Sequence, residues 1–132
     1  MQKHVILTNM VLVKNDKDEY LVLFRERNDW PGLTFPGGHT EDNETITESA
    51  YRELFEESGL KGIDLRCVGF FEWNNIDSNR HLSLLYYTDK YEGEILSSFE
   101  GKVFFLKEEE FKNYPLSTDF FDIFNTFKRG ID

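Results

Sequence analysis

Cysteine is all but missing from this sequence: Cys67 stands alone among 132 residues. An intramolecular disulfide is therefore excluded, and a reducing cytoplasm is the natural setting. Cys67 lies in an apolar run with Leu65, Val68, Phe70 and Phe71, which points to a small core residue ahead of a catalytic thiol. Basic charge is the second shortage. Lys and Arg number 15 against 25 Asp and Glu, a net charge of −10, so no broad basic surface exists to hold a nucleic-acid polymer or an anionic membrane. An anionic ligand must be met locally, by a few basic side chains or by bound cations. Long hydrophobic runs are lacking as well. The apolar stretch within MQKHVILTNMVLV is too short and too interrupted for a signal peptide or a membrane span. Internal repeats, low-complexity tracts and linkers are also absent.

What is present suits one domain over residues 1–132: 39% of the residues are hydrophobic and 16% aromatic, ample for a single packed core. Strand signals occur at Val5 to Leu7, Met10 to Val13 and Leu21 to Phe24. The turn-like Asn15-Asp16-Lys17-Asp18 between the last two predicts a hairpin. Further strands are expected at Leu65 to Trp73, Leu82 to Tyr87 and Val103 to Leu106, several of them apolar without alternation, as when both faces of a sheet are covered. Two stretches read as helices. In the first, Thr45-Ile46-Thr47-Glu48 fits a capping box, Ile46, Ala50 and Leu54 recur every fourth residue, and Gly59 is a C-terminal stop. The second runs from about Thr118 to Lys128, anchored by Phe120, Phe121, Ile123, Phe124 and Phe127. Together these predict an α+β domain, an α/β/α sandwich with a mixed β-sheet between helices.

The first helix carries Glu53, Glu56 and Glu57 at three- and four-residue spacing, hence on adjoining parts of one surface. Each like pair at this spacing costs about 0.2 to 0.5 kcal/mol, and acids near a helix C-terminus also oppose the macrodipole. Neutralising one of them, as in Glu57→Gln, is expected to raise the melting temperature in the absence of metal. A solvated acidic face is one explanation of the cluster. The other is a divalent-cation site: hard oxygen ligands without nearby His or Cys match Mg²⁺ or Mn²⁺ rather than zinc.

The 23 residues from Gly38 to Leu60 bear on that choice. Gly38, Glu44, Arg52, Glu53, Leu54, Glu56, Glu57, Gly59 and Leu60 satisfy every specified position of G-x5-E-x7-R-E-U-x-E-E-x-G-U, where U is a bulky aliphatic residue. On this motif the chain resembles the Nudix hydrolases. The resemblance implies Mg²⁺ or Mn²⁺ held by Glu53, Glu56 and Glu57, with the Gly37 carbonyl as a further ligand, and hydrolysis of a nucleoside diphosphate linked to another group. It also pairs Arg52 with Glu44, which would orient the ligands. From sequence alone, Gly37 and Gly38 equally suit a plain turn after Pro36.

Softer features extend the likeness toward MutT-type 8-oxo-dGTP diphosphatases: Asp29 to Gly38, Asn79 to Leu84, and Ser98-Phe99-Glu100-Gly101. By that likeness Glu100 is a further metal ligand or a carboxylate that activates water. Arg25 contacts phosphates, Gly38 lines the substrate site, Phe35 stacks near a purine, and Arg80 and Asp119 read base edges. Each has a plainer reading: Arg25 and Arg80 as surface charges on strand ends, Phe35 as a core aromatic, Asp119 as the N-cap of the last helix, and Glu100 as an ordinary loop acid. The resemblance thus implies a free nucleotide as partner, cleaved to monophosphate and pyrophosphate. The alternatives are a dinucleotide, a sugar nucleotide, an RNA 5′ end, or a silent binding module. Signatures of coenzyme A or NADH pyrophosphatases are not found, and only Pro115 stands downstream where ADP-ribose enzymes carry a proline.

Overall fold

Val11, Leu12 and Val13 are consecutive and all fully buried, which an extended chain achieves only when both faces of its sheet are covered. They end the first strand of a computed structural model that describes residues 4–26, 31–76, 78–96 and 102–132. The elements in order are β1 (Val5–Val13), β2 (Glu19–Arg25), β3 (Gly32–Thr34), β4 (Gly37–His39), α1 (Ile46–Ser58), β5 (Lys61–Ile63), β6 (Arg66–Ile76), β7 (Asn79–Thr88), β8 (Lys90–Glu92), β9 (Lys102–Lys107), a 3-10 helix (Glu108–Asn113) and α2 (Phe120–Ile131).

A four-stranded mixed sheet has the order β4-β1-β7-β6, with β1 parallel to β7 and antiparallel to β4. A three-stranded antiparallel sheet has the order β3-β2-β9, and β5 pairs with β8. The predicted hairpin does not form. The two strands flanking Asn15 to Asp18 belong to different sheets, joined there only by the bridge of Lys14 with Tyr20. β2 spends both of its own edges elsewhere, pairing with β3 on one side and β9 on the other.

Alternation along the strands divides the core. Leu12, Val22, Leu85 and Tyr87 pack with Phe120, Ile123, Phe124 and Phe127 of α2, while Val11, Val13, Leu21, Leu23 and Tyr86 pack with Ala50 and Leu54 of α1. The result is the expected α+β sandwich, a mixed sheet layer between helices. The capping box is present: Thr45 Oγ1 accepts the Glu48 N–H at 3.0 Å and Glu48 Oε1 accepts the Thr45 N–H at 2.8 Å. Gly59 ends α1 in the left-handed region at φ 83°. Cys67, expected in the core, is exposed; on β6 it is the next residue, Val68, that packs against the core beneath α2.

Candidate active site

The site grows from the packing of β4 against β1 and α1. A Cβ on Gly37 would fall 2.0 Å from the Asn9 carbonyl oxygen, and one on Gly38 would fall 2.6 to 2.8 Å from the three carboxylate atoms of Glu53. Only glycine lets the β4 backbone come this close to both neighbours. Asn9 fastens the arrangement. It is buried within β1, and its Nδ2 donates to the Gly38 carbonyl at 3.2 Å and to Ser49 Oγ of α1 at 2.9 Å. Ser49 Oγ in turn donates to the Ile46 carbonyl and accepts from Thr40 Oγ1. Spacing rules miss Asn9, Thr40 and Ser49; the available signal was a lone asparagine inside the apolar run of β1.

Two arginines compensate the glutamates. Arg52 Nη1 donates to Glu53 Oε1 at 2.8 Å and Glu56 Oε1 at 2.9 Å, while its Nη2 donates to Glu44 Oε1 at 2.7 Å and to the His39 carbonyl at 3.1 Å. Hydrogen bonding to Glu44 raises the already high Arg52 pKa. In return the Arg52 guanidinium, helped by the Glu41 N–H, holds the Glu44 carboxyl below the usual carboxylate range. From the neighbouring sheet, Arg25 at the end of β2 donates through Nη2 to Glu57 Oε2 at 2.7 Å, and the Gly37 N–H donates to Glu57 Oε1 at 2.7 Å.

The structure therefore brings together Arg25, Gly37, Gly38, Glu44, Arg52, Glu53, Glu56 and Glu57. Among the described residues, no three His, Cys, Asp or Glu side chains already surround a common metal position. The donor set nevertheless fits a hard divalent ion: carboxylate oxygens, a glycine cradle beneath Glu53, and no thiolate or imidazole in the cluster.

Three other expectations are corrected. Phe35 is 2% exposed and stacks on Phe120 with ring centroids 4.8 Å apart; it belongs to the core beneath α2 and has no face left for a base. Asp119 does not cap α2 with its side chain. It adopts φ 64°, and its Oδ2 accepts the Trp73 Nε1–H at 2.9 Å. Arg80 is exposed and lies on the other side of the sheet from Asp119: the two-residue period of β7 places it with Leu84 and Tyr86 on the α1 side. The two cannot read one base edge together. Glu100, with Asp29, Ser98, Phe99 and Gly101, lies outside the described residues.

Comparison with known proteins places this geometry. Residues 5–123 match the NUDIX domain family, and the chain belongs to that family. Uncharacterized Nudix hydrolase YvcI of Bacillus subtilis (strain 168) is 31% identical over 116 residues, 84% of this chain and 71% of YvcI. The mitochondrial Nudix hydrolase 16 of Arabidopsis thaliana is 41% identical over 54 residues, 41% of this chain and only 30% of that protein. A putative 8-oxo-dGTP diphosphatase of Bacillus subtilis (strain 168) is 29% identical over 72 residues, 54% of this chain and 47% of that protein. Among solved structures, the MutT protein of Bacillus halodurans matches with a TM-score of 0.77 at 26% identity, over 91% of this chain and 80% of that one. The NUDIX domain of Shewanella oneidensis NrtR, complexed with ADP ribose, matches in fold with a TM-score of 0.83 at 13% identity, over 100% and 91% of the two chains. No helix among the described residues is long and apolar enough to cross a membrane.

Proposed function

We propose that the chain is a single catalytic domain that hydrolyses free nucleoside triphosphates in the cytoplasm, oxidised purines such as 8-oxo-dGTP foremost, to the monophosphate and pyrophosphate. The observation that carries this reading is the convergence of Glu53, Glu56 and Glu57 on the Arg52 guanidinium and the glycines of β4. Glu53, Glu56 and Glu57 would hold Mg²⁺ or Mn²⁺, with the Gly37 carbonyl and Glu100 as further candidates. A cation bound there would polarise a phosphoryl oxygen and acidify water. Arg52 orients Glu53 and Glu56 through one nitrogen, braced by Glu44 and the His39 carbonyl. Arg25 reaches the same carboxylate face from β2 and supplies a positive charge for the phosphates.

Base choice falls to Asp119. Trp73 fixes its carboxylate by donating to one oxygen, and the carboxylate retains lone pairs to accept an N–H from a base edge. Oxidation at C8 turns purine N7 from an acceptor into an N–H donor, so a fixed acceptor gains a partner that guanine does not offer. The relative named as a putative 8-oxo-dGTP diphosphatase supports this choice; the neighbour complexed with ADP ribose supports the alternative of another nucleoside diphosphate derivative. A nucleotide screen with Mg²⁺, reading released pyrophosphate and phosphate, decides between them. We expect kcat/KM for 8-oxo-dGTP at least about tenfold above dGTP, roughly 1.4 kcal/mol of differential transition-state binding. Equal values, with ADP-ribose or a dinucleotide turned over faster than either, would refute the triphosphate assignment and leave the metal chemistry standing.

A further inference from the structure

We propose that the open end of the four-stranded sheet, on the face that α1 only partly covers, is a docking surface for a second copy of this chain, related to the first by a two-fold axis. Strand register sets out that face. Val5 and Leu7 of β1 stand opposite Arg80 and Leu82 of β7, and Leu82 and Leu84 of β7 stand opposite Glu72 and Phe70 of β6. Cover by α1 begins at Asn9, which donates to Ser49, and at Leu84 and Tyr86, which pack with Ala50 and Leu54. Short of that line the apolar groups lie open: Val5 is 54% exposed, Leu7 38% and Phe70 57%. Contiguous apolar exposure of this kind marks a contact surface. Arg80 and Glu72 flank it, both exposed, and among the described residues the side chain of neither makes a hydrogen bond or ion pair.

What selects a second copy is that this pattern is its own complement. Neighbouring strands lie about 4.8 Å apart and alternate residues about 6.7 Å apart along each strand, which fixes where the groups stand in the plane of the face. A two-fold axis in that plane, passing beside Leu7 and Leu82 and between Arg80 and Glu72, sets each leucine against its own copy. The same rotation brings Phe70 onto Val5 of the partner subunit and Arg80 onto Glu72 of the partner subunit, so apolar and charged contacts are satisfied together. Strands of the two copies then cross at roughly 70°, near the orthogonal mode of sheet packing. The net charge of −10 repels a second copy, but repulsion between exposed charges is largely screened beyond about 8 Å at 0.15 M salt. At contact the opposite charges of Arg80 and Glu72 remain. A contact of this isologous form closes at two copies.

Sedimentation equilibrium of the whole chain at 0.15 M salt tests this. A monomer–dimer equilibrium is expected, with a Kd below about 100 µM. Arg80→Glu and Glu72→Arg, each alone, should weaken it at least about tenfold, because like charges then meet twice across the axis. Mixed in equal amounts, the two variants should form a dimer of one copy of each, since every such contact is again between opposite charges. Mixing thereby separates this interface from an ion pair made within one chain, which mixing does not restore. Phe70→Asp should also weaken dimerisation, and the variant should stay folded by circular dichroism because Phe70 is exposed. A chain that remains monomeric up to about 1 mM, assembly beyond a dimer, or a dimer indifferent to all three substitutions overturns the proposal. Failure of the two folded charge variants to associate with each other overturns it as well.

Discussion

Replacing Glu57 with glutamine sets two forces on one carboxylate against each other. Relief of repulsion with Glu53, four residues away on α1, is worth about 0.2 to 0.5 kcal/mol and alone would stabilise the protein. Against it stand the two hydrogen bonds of 2.7 Å that the buried carboxylate accepts from Arg25 and the Gly37 N–H. Glutamine offers a single carbonyl oxygen, so one donor loses its acceptor and faces an amide NH₂ instead. A hydrogen bond to a charged group contributes about 1.5 to 3 kcal/mol, and Arg25 loses its counter-charge in a sheltered position as well. The net is a destabilisation of about 2 to 3 kcal/mol, several times the relief. With unfolding entropy near 2.1 cal/mol/K per residue over 132 residues, that is a fall in Tm of roughly 7 to 11 °C. The sign opposes what the helix sequence alone implies. Thermal unfolding by circular dichroism at neutral pH in excess chelator reads it directly. The double variant Arg25→Gln/Glu57→Gln should be more stable than Glu57→Gln alone, because the guanidinium that faces the new amide is then removed. An unchanged or higher Tm for Glu57→Gln would refute the view that the Arg25 pair outweighs repulsion along the helix.

The adjacent glycines should fail differently. Gly37→Ala drives a Cβ into the Asn9 backbone and should cost at least about 2 kcal/mol, as overpacking does, visible as a lower denaturation midpoint. For Gly38→Ala the three nearest atoms are those of the Glu53 carboxylate, the end of a flexible side chain; it should lower Tm little yet weaken Mn²⁺ binding, read by titration. Glu44 gives the pH dependence. Its folded pKa lies below the usual value because Arg52 and the Glu41 N–H favour the charged form. Its contribution is therefore present above about pH 4.3, the ordinary glutamate value, and is lost as pH falls through the lower folded value. The Tm difference between wild type and Glu44→Gln should accordingly be constant near neutrality and shrink on acidification below that point.

The first helix was legible because its signals are local: Thr45 and Glu48 cap each other three residues apart, and Gly59 ends the helix by its own φ. Strand pairing carries no such local mark. The turn at Asn15 to Asp18 forms as its residues suggest, with Asn15 Oδ1 accepting from the Lys17 and Glu19 N–H groups, yet the strands it joins go to different sheets. What decides this is the nine-residue parallel register of Val5–Val13 with Arg80–Thr88, set by distant segments. The same division holds within the site. Spacing alone placed Glu53, Glu56 and Glu57 on one surface and implied a helix straining against its own charge. The last turn of α1 indeed holds no basic residue, but the counter-charge for Glu57 comes from Arg25, 32 positions earlier and on another sheet. Phe35 and Arg80 went astray for a related reason: which face of a sheet a residue occupies depends on strand register, and only the assembled layers put Phe35 under α2 and Arg80 on the far side from Asp119. An acidic helix is thus not unstable merely because its own sequence lacks cations. Its stability turns on what the sheets present to it, here the Arg25 guanidinium and the Gly37 N–H that meet Glu57 from β2 and β4.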